Sequence, residues 1–230
     1  MDQDAAKKAA GTQAAALVEP GMRLGLGTGS TTTYALEALG RRVREDGLDV
    51  RGVPTSFAAE RLARRVGISL VTFDDVDRLD LALDGADEVS PALDLIKGRG
   101  GAHAREKVVA AQAERFLVLA DPTKPVDRLG TTKPVPVEVL PMAAAPVMRR
   151  LEALGASADL RMAQGKDGPV VTDQGFWIVD ARFEDGVDDP AALNDALNAC
   201  PGVLDHGLFL GMATDVFIGH PDGSVDHRTR

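Results

Sequence analysis

The stretch MRLGLGTGSTTTYALEAL, residues 22–39, decides the fold. Its apolar beginning, Met22 to Leu26, predicts a buried strand, and the apolar residues from Tyr34 to Leu39 recur at helical spacing. A glycine-rich turn, residues 27–30, joins this strand to this helix. The alternation of strand and helix continues to about residue 130, a pattern that predicts a parallel sheet covered by helices.

The chain beyond residue 130 has a different order of elements. Strands and helices there follow the order β-α-β-β-α-β, which predicts a small ferredoxin-like unit. The apolar run from Val216 to Ile218 then returns to the first sheet and leaves a polar tail from His220 to Arg230. We therefore expect an α/β protein with two parts: a Rossmann-like parallel-sheet domain of residues 1–130 plus 208–230, and an inserted, smaller ferredoxin-like α+β domain of residues 131–207.

Composition and charge limit the classes of function. The chain has 230 residues, of which 44% are hydrophobic and 27% charged, and these values are typical of a packed globular protein. A formal net charge of −9 repels nucleic-acid phosphates and anionic membranes. Aromatic residues make up 4%, too few for the stacking platforms of a single-strand nucleic-acid binder. We expect neither a nucleic-acid partner nor a membrane partner.

The cysteine content and the first residues bear on the compartment. The single Cys200 cannot form an intramolecular disulfide, and the start MDQDAAKKAA lacks the basic-then-apolar layout of a signal peptide. No stretch approaches the roughly 18 consecutive apolar residues that span a bilayer. The sequence therefore predicts a cytoplasmic protein.

The first motif whose residue types suit ligand binding is GLGTGSTT, residues 25–32, between the apolar strand and the helix. Its glycines permit close approach of the backbone, the helix start offers N–H groups, and Thr28, Ser30 and Thr31 add hydroxyl groups. A phosphate fits such a place, and a plain strand-to-helix turn is the alternative. The motif is not a dinucleotide fingerprint, because the glycine spacing fails at Ser30, and it lacks the Gly-Lys-Ser/Thr of a P-loop.

The second motif is DGADE, residues 84–88, which follows a predicted apolar strand. Ligands of parallel α/β sheets bind outside the carboxyl ends of the strands. Three acids around two small residues suit polyol hydroxyls or proton transfer, and crowded carboxylates raise the pKa of one another. A solvated acidic turn and a metal site are the alternatives, although no His/Cys ligand set or calcium-loop spacing supports a metal.

The third motif is KGRGGAHAREK, residues 97–107, a basic glycine-rich loop that runs into a helix. Lys97 can donate to an oxyanion, and Gly98, Gly100 and Gly101 permit tight approach of the backbone. In one interpretation, Glu106 lies in the first helical turns and faces the same cavity as Lys97. In the alternative interpretation it is an exposed acid that pairs with a neighbouring basic residue.

The three motifs, in this order and with these spacings, resemble the ribose-5-phosphate isomerases of the A type, in which GTGST, DGADE and KGxGG…REK occur together. Further segments continue the likeness: ADPTK at 120–124, PVEVLP at 136–141, VTDQG at 171–175, PGV at 201–203 and GLF at 207–209. The resemblance covers nearly the whole chain.

This resemblance implies an activity and its requirements. The activity is the reversible aldose-ketose conversion of D-ribose 5-phosphate and D-ribulose 5-phosphate through an enediol(ate), in the non-oxidative pentose phosphate pathway. The implied partner is this small-molecule sugar phosphate, with no cofactor and no metal. A homodimer or a larger homo-oligomer is also implied.

The resemblance further assigns roles to matched positions. Glu106 becomes the general base, Lys97 stabilises the developing oxyanion, and Asp84 and Asp87 bind hydroxyls, with Asp84 helping to open the furanose ring. The remaining implied substrate contacts are Lys7, Thr28, Gly29, Ser30, Thr31, Gly85, Ala86, Gly98, Arg99, Gly100 and Lys124.

The sequence departs from the family pattern at two positions. Arg99 stands where relatives often have glycine, and we expect an ordinary φ there with an outward side chain. His103 stands where they often have an apolar residue, and we expect a packed or solvated histidine rather than a proton shuttle.

One rival class of protein is a non-catalytic sugar-phosphate-sensing domain, which would need a DNA-binding appendage that the sequence does not show. The other is an acyl-CoA transferase-like enzyme with a glutamate nucleophile.

Overall fold

The computed structural model describes residues 2–230. The chain forms two compact units. The first consists of the chain up to Ala86, Arg105–Lys124 and Met212–Arg230, and the second of Asp87–Ala104 and Pro125–Gly211.

The first part of the chain alternates helix and strand from α1 to β3, as the sequence pattern predicts. The helices are α1 (Gln3–Ala16), α2 (Ser30–Glu45), α3 (Phe57–Val66), α4 (His103–Ala111), α5 (Ala144–Ala153) and α6 (Pro190–Asn198), with a short 3-10 helix at Pro141–Ala143. The strands are β1 (Arg23–Leu26), β2 (Arg51–Pro54), β3 (Ser69–Leu70), β4 (Leu79–Gly85), β5 (Glu88–Val89), β6 (Leu95–Ile96), β7 (Ala113–Ala120), β8 (Val135–Val139), β9 (Ser157–Leu160), β10 (Trp177–Arg182), β11 (Val203–His206), β12 (Leu208–Phe209), β13 (Asp215–Gly219) and β14 (Val225–Thr229).

The first unit is built on a seven-stranded sheet in the order β3-β2-β1-β4-β7-β13-β14. Every neighbouring pair in it is parallel except β13 with β14. The order of the strands reverses between β1 and β4, and such a switch point is where open α/β sheets bind ligands. The predicted Rossmann-like parallel sheet is confirmed.

Small residues let the helices of this unit pack closely on the sheet and on each other. A Cβ at Gly11 of α1 would lie 2.8 Å from the backbone nitrogen of Ala35 in α2. The core beneath these helices includes Leu24 and Leu26 of β1, both fully buried. Burying one such side chain contributes roughly 1.5–3 kcal/mol, so β1 is firmly held at the centre of the sheet.

The second unit contains a four-stranded antiparallel sheet in the order β11-β8-β10-β9. Helices α5 and α6 contribute Leu151, Leu193 and Leu197 to a core shared with buried residues of β8 and β10. The predicted β-α-β-β-α-β order of this segment is confirmed.

A second, three-stranded sheet of this unit has the order β12-β6-β5. Because β12 pairs with β6, residues 87–104 belong to this unit rather than to the first one. The unit is therefore larger than the predicted 131–207 insertion, since it also takes in residues 125–130 and 208–211. An independent domain at 131–207 stays a prediction.

The polar tail from His220 to Arg230 contains a strand that the sequence analysis does not predict. Within it, Val225–Thr229 form β14, an antiparallel edge strand paired with β13. The His227 ring stacks on Phe217 with 4.2 Å between centroids, and its Nε2 lies 2.8 Å from the Asp215 Oδ1. These contacts attach a polar segment that has no apolar run of its own.

The segment after α6, residues 202–209, forms two short strands. Gly207 separates β11 from β12, and its N–H donates to the Pro136 carbonyl at 2.7 Å. A Cβ on Gly207 would lie 2.2 Å from the Lys97 carbonyl oxygen, so only glycine fits at this crossing.

Across residues 2–230, the structure contains no helix with the length and apolar character needed to cross a membrane.

Candidate active site

The carboxyl ends of the parallel strands in the first unit bring most of the predicted site residues to one edge of the sheet. The turn with Thr28 follows β1, Asp84 and Gly85 end β4, and Lys124 lies shortly after β7. Because β7, β4 and β1 are direct neighbours, these segments lie side by side around the switch point. Parallel strand order therefore explains how motifs far apart in sequence meet.

Asp84 organises the turn that follows β1. Its Oδ1 accepts hydrogen bonds from the N–H of Thr28 at 3.0 Å and from its neighbour Gly85 at 2.8 Å. Gly27 makes this approach possible, since a Cβ there would lie 2.3 Å from the Leu83 carbonyl oxygen and 2.4 Å from the Asp84 Cγ. The buried carboxyl group and the turn thus fix one another.

The predicted phosphate site lies at the start of α2. Gly29 is its N-cap, with φ at +114°, and within the described chain no side chain caps these first N–H groups. Ser30 and Thr31 open the helix, so their N–H groups lie in its first turn. Such helix starts carry positive potential and bind phosphate groups.

The hydroxyl group of Thr28 has partners that the sequence analysis missed. It lies 2.8 Å from the Thr55 hydroxyl and donates to the Ser56 hydroxyl at 2.6 Å. Thr55 and Ser56 are buried at the carboxyl end of β2, next to β1 in the sheet. The side chain of Thr28 therefore joins two neighbouring strand ends, which shapes the turn as well as the ligand site.

Glu106 lies in the first turn of α4 and is only 6% exposed. The preceding residue fixes the helix to the end of β2, because the guanidinium of Arg105 donates to the Pro54 carbonyl at 3.3 Å. One turn further on, Val109 packs so closely on β1 that a Cβ at Gly25 would lie 2.5 Å from its Cγ1. These contacts show a buried carboxyl group, and the alternative of an exposed surface acid is wrong.

Lys124, in the turn after β7, and Lys7, on α1, are half-buried cations. A turn after β7 places Lys124: its N–H donates to the Asp121 carbonyl at 3.1 Å, and the Asp121 Oδ1 accepts the Thr123 N–H at 2.9 Å. Lys7 follows Ala6 on α1, and the Ala6 carbonyl oxygen would lie 2.0 Å from a Cβ at Gly219, the last residue of β13. Both cations thus belong to the carboxyl edge of the sheet.

In the second unit, the β5–β6 pair carries Asp87 and Lys97 at adjacent ends. The Asp87 N–H donates to the Ile96 carbonyl at 2.8 Å, and its Oδ2 accepts the Arg99 N–H at 3.0 Å. Lys97 is buried, and its Nζ lies 5.5 Å from the centroid of the Phe209 ring. The structure therefore brings these two predicted residues together.

The loop after Lys97 requires glycine at one position. Gly98 has a φ of +104°, and a Cβ there would lie 2.6 Å from the His103 Nδ1 and 2.7 Å from the Pro136 Cγ. Arg99 has an exposed side chain and is not among the positive-φ residues, as expected, and Gly100 beside it is exposed with open space around its Cα.

His103 is fully buried, which confirms a packed histidine. Its Nε2 lies 3.8 Å from the Oε2 of Glu138 on β8, another fully buried residue. Burial raises the pKa of the Glu138 carboxyl, although a hydrogen bond from the Thr172 hydroxyl opposes the effect.

Glu88, the last acid of the DGADE motif, accepts hydrogen bonds from backbone N–H groups. It is fully buried and accepts the N–H groups of Gly130, Thr132 and Lys133 at 2.5, 2.6 and 2.7 Å. Four residues after Asp84, this acid anchors a segment of the second unit. Among the side chains of residues 2–230, no group of three or more His, Cys, Asp or Glu is placed to hold a metal ion.

An open α/β sheet with a glycine-rich turn, a helix start without a side-chain cap and buried carboxyl groups at its carboxyl edge is typical of an enzyme that binds a small molecule. Comparison with known proteins specifies this class further. The chain belongs to the ribose 5-phosphate isomerase A (phosphoriboisomerase A) family, whose model matches residues 51–223.

Relatives with the same family name match the chain almost from end to end. Ribose-5-phosphate isomerase A of Haloarcula marismortui is 56% identical over 220 residues, 96% of this chain and 94% of that protein. The structure of ribose 5-phosphate isomerase A from Methanocaldococcus jannaschii has a TM-score of 0.94 and 42% identity, with both chains covered in full. A D-ribose-5-phosphate isomerase structure in complex with phospho-erythronic acid has a TM-score of 0.94 and 44% identity, with 97% of each chain covered.

A first prediction concerns the close contact at Gly27. We expect Gly27→Ala to destabilise the protein by about 1–3 kcal/mol, because its Cβ would overlap backbone and the Asp84 carboxyl group. The midpoint of urea unfolding measures this. Gly165→Ala is the control, since nothing lies within 4 Å of its Cβ position. Equal unfolding midpoints for both variants would contradict the close packing of this turn.

Proposed function

We propose that this protein interconverts D-ribose 5-phosphate and D-ribulose 5-phosphate, acting in the pentose phosphate pathway of the cytoplasm as a homodimer or larger homo-oligomer. One observation carries the reaction: the switch point of the sheet places Asp84 against an uncapped helix start, with buried Glu106 on a helix fixed to the adjoining strand end. Family membership and the phospho-erythronic acid held by a related structure support a sugar-phosphate substrate.

The phosphate binds at the start of α2 in this proposal. The N–H groups of Gly29, Ser30 and Thr31 donate to its oxygens, and Lys124 and Lys7 supply point charges. Holding the phosphate at one end fixes the sugar carbons relative to the reactive carboxyl groups.

The acidic motif acts on the sugar. Asp84 transfers a proton between the ring oxygen and the anomeric hydroxyl and so opens the furanose. The small residues Gly85 and Ala86 leave room for the sugar beside it. Asp87 accepts hydrogen bonds from sugar hydroxyls. The backbone of Gly98, Arg99 and Gly100 completes the contacts with the substrate.

Isomerisation of the open chain is a proton transfer between carbons. Glu106 removes the C2 proton, the C2–H electron pair forms the C1=C2 bond, and the C1 oxygen takes up the negative charge of an enediolate. Lys97 stabilises this oxyanion. The C2 hydroxyl proton then moves to the C1 oxygen, the C2 oxygen becomes a carbonyl, and Glu106 returns its proton to C1.

The alternative of a non-catalytic sugar-phosphate-sensing domain receives no support from the relatives, whose names are those of an enzyme. Isomerase activity is tested by incubating the purified protein with ribose 5-phosphate and following ketose formation. We expect conversion to an equilibrium mixture that is reached from either sugar. Tight binding of ribose 5-phosphate with no conversion would instead support the sensing domain.

The phosphate contact leads to a second prediction. Lys124→Ala is expected to raise the inhibition constant of inorganic phosphate by about one to two orders of magnitude, since a charge-assisted hydrogen bond contributes roughly 1.5–3 kcal/mol. Exposed Lys8 on α1 is the matched control, and Lys8→Ala should leave the constant unchanged. An unchanged constant in Lys124→Ala would place the phosphate elsewhere.

A further inference from the structure

The carbonyl groups of the loop after Lys97 are held by a residue far away in sequence. Arg161 directly follows β9, and its Nη1 donates to the Gly98 carbonyl at 2.9 Å and to the Arg99 carbonyl at 3.0 Å. One guanidinium nitrogen therefore joins two consecutive peptide groups of the loop.

The guanidinium of Arg161 is itself held in place. Its Nε donates to the Asp180 Oδ2 at 2.8 Å, and its Nη2 donates to the Asp180 Oδ1. The backbone of Arg161 is fixed as well, because its N–H donates to the Ile178 carbonyl at 2.8 Å and its carbonyl accepts the Val170 N–H at 2.8 Å. The bidentate contact with Asp180 leaves Nη1 of Arg161 directed at the loop.

The other side of the same loop is fixed by independent contacts. The Lys97 N–H donates to the Gly207 carbonyl at 2.9 Å, and the Arg99 N–H donates to Asp87. The Gly101 N–H closes the loop on the Gly98 carbonyl at 3.0 Å. Arg161 thus adds hydrogen bonds to carbonyl oxygens in a loop whose N–H groups at residues 97, 99 and 101 are already bound.

A surface ion pair would not explain this arrangement. The side chains of Arg161 and Asp180 are only 16% and 23% exposed, unlike the Arg128–Asp188 pair of the same unit, whose side chains are 51% and 90% exposed. Desolvated, bidentate pairs define geometry, whereas exposed pairs contribute little.

We propose that Arg161, oriented by Asp180, is a positioning residue that fixes the backbone of residues 98–99 and thereby the Nζ of Lys97 for the isomerisation. The inference rests on the proposed function, in which Lys97 stabilises the enediolate oxygen. A misplacement of about 1 Å in a reacting group can lower the rate by about 10²-fold.

The first test replaces the guanidinium while keeping the charge. A lysine ammonium cannot bind Asp180 through two parallel hydrogen bonds and also reach both carbonyls. We expect Arg161→Lys to lower kcat by about 10- to 100-fold with KM for ribose 5-phosphate almost unchanged. Arg182→Lys is the control, since Arg182 is exposed on β10, the strand that carries Asp180. An Arg161→Lys enzyme with wild-type kcat would overturn the proposal.

A double-mutant cycle separates positioning from general stability. If Arg161 acts through Lys97, adding Arg161→Lys to Lys97→Met should lower kcat no further than Lys97→Met alone. Full additivity of the two effects would show that Arg161 supports the fold generally, which contradicts the proposal.

Amide hydrogen exchange tests the inference without any activity. Peptides covering residues 97–102 should exchange about tenfold faster in Arg161→Lys than in the wild type, with no such change in Arg182→Lys. Unchanged exchange would overturn the loop assignment. A wild-type protein that shows this protection but no isomerase activity would instead contradict the proposed function and leave the fixed loop in place.

Discussion

Replacing Glu106 with glutamine is expected to lower kcat by about 10²- to 10⁴-fold, the usual contribution of a general base. The amide has the shape of the carboxyl group but cannot accept the C2 proton. Because Glu106 is buried in a helix held by Arg105 and Val109, the isosteric change should leave the fold and the affinity for phospho-erythronic acid almost unchanged.

Steady-state ketose formation and calorimetric binding of phospho-erythronic acid measure these two effects in parallel. Glu114→Gln is the matched control, since Glu114 is exposed on β7 and pairs with Arg78 at 3.6 Å. Near-normal turnover in Glu106→Gln would show that another group removes the proton.

Lys97→Met is expected to lower kcat by about 10²- to 10³-fold, as the removal of one oxyanion donor does in other enzymes. Methionine is unbranched and only one heavy atom shorter than lysine, and its thioether packs well against an aromatic ring such as that of Phe209. The loss should therefore come from the missing positive charge in the transition state, with a smaller change in KM.

The control for this variant is Lys166→Met, at an exposed lysine of the same unit. Its kcat should equal that of the wild type, and the urea unfolding midpoint of Lys97→Met should remain close to the wild-type value. A Lys97→Met enzyme with a raised KM and unchanged kcat would assign Lys97 to ground-state binding instead, and one with wild-type kcat and KM would exclude it from the reaction.

Much of the fold could be predicted from local patterns. The apolar run from Met22 to Leu26 predicts a strand and the apolar spacing from Tyr34 to Leu39 predicts a helix, and both lie within a few residues of the observed β1 and α2. Strand β14 could not be predicted in this way, because a polar edge strand has no apolar run and is held by pairing with β13 and by the His227 contacts. The small β5–β6–β12 sheet joins short segments that are far apart in sequence.

The candidate site was predictable where the chemistry resides in compact motifs. Glycine-rich turns and acids after strands are local signals, and they identified the segments around Thr28, Asp84 and Lys97. Thr55 and Ser56 carry the same signal of hydroxyls directly after a strand, and extending the strand-end rule to β2 would have found them. Arg161 carries no local signal, because its carbonyl partners lie 62 and 63 residues away.

Exchange of the C1 hydrogen of ribulose 5-phosphate with solvent tests most directly whether Glu106 moves a proton between C1 and C2. The sugar is incubated in D₂O with the wild type or with Glu106→Gln, and the C1 hydrogens are followed by proton NMR. We predict that the wild type replaces a C1 hydrogen with deuterium as the sugars interconvert, whereas Glu106→Gln does so at least about 10²-fold more slowly. Exchange in Glu106→Gln at the wild-type rate would contradict the mechanism, because the C1 hydrogen would then be moved without this carboxyl group.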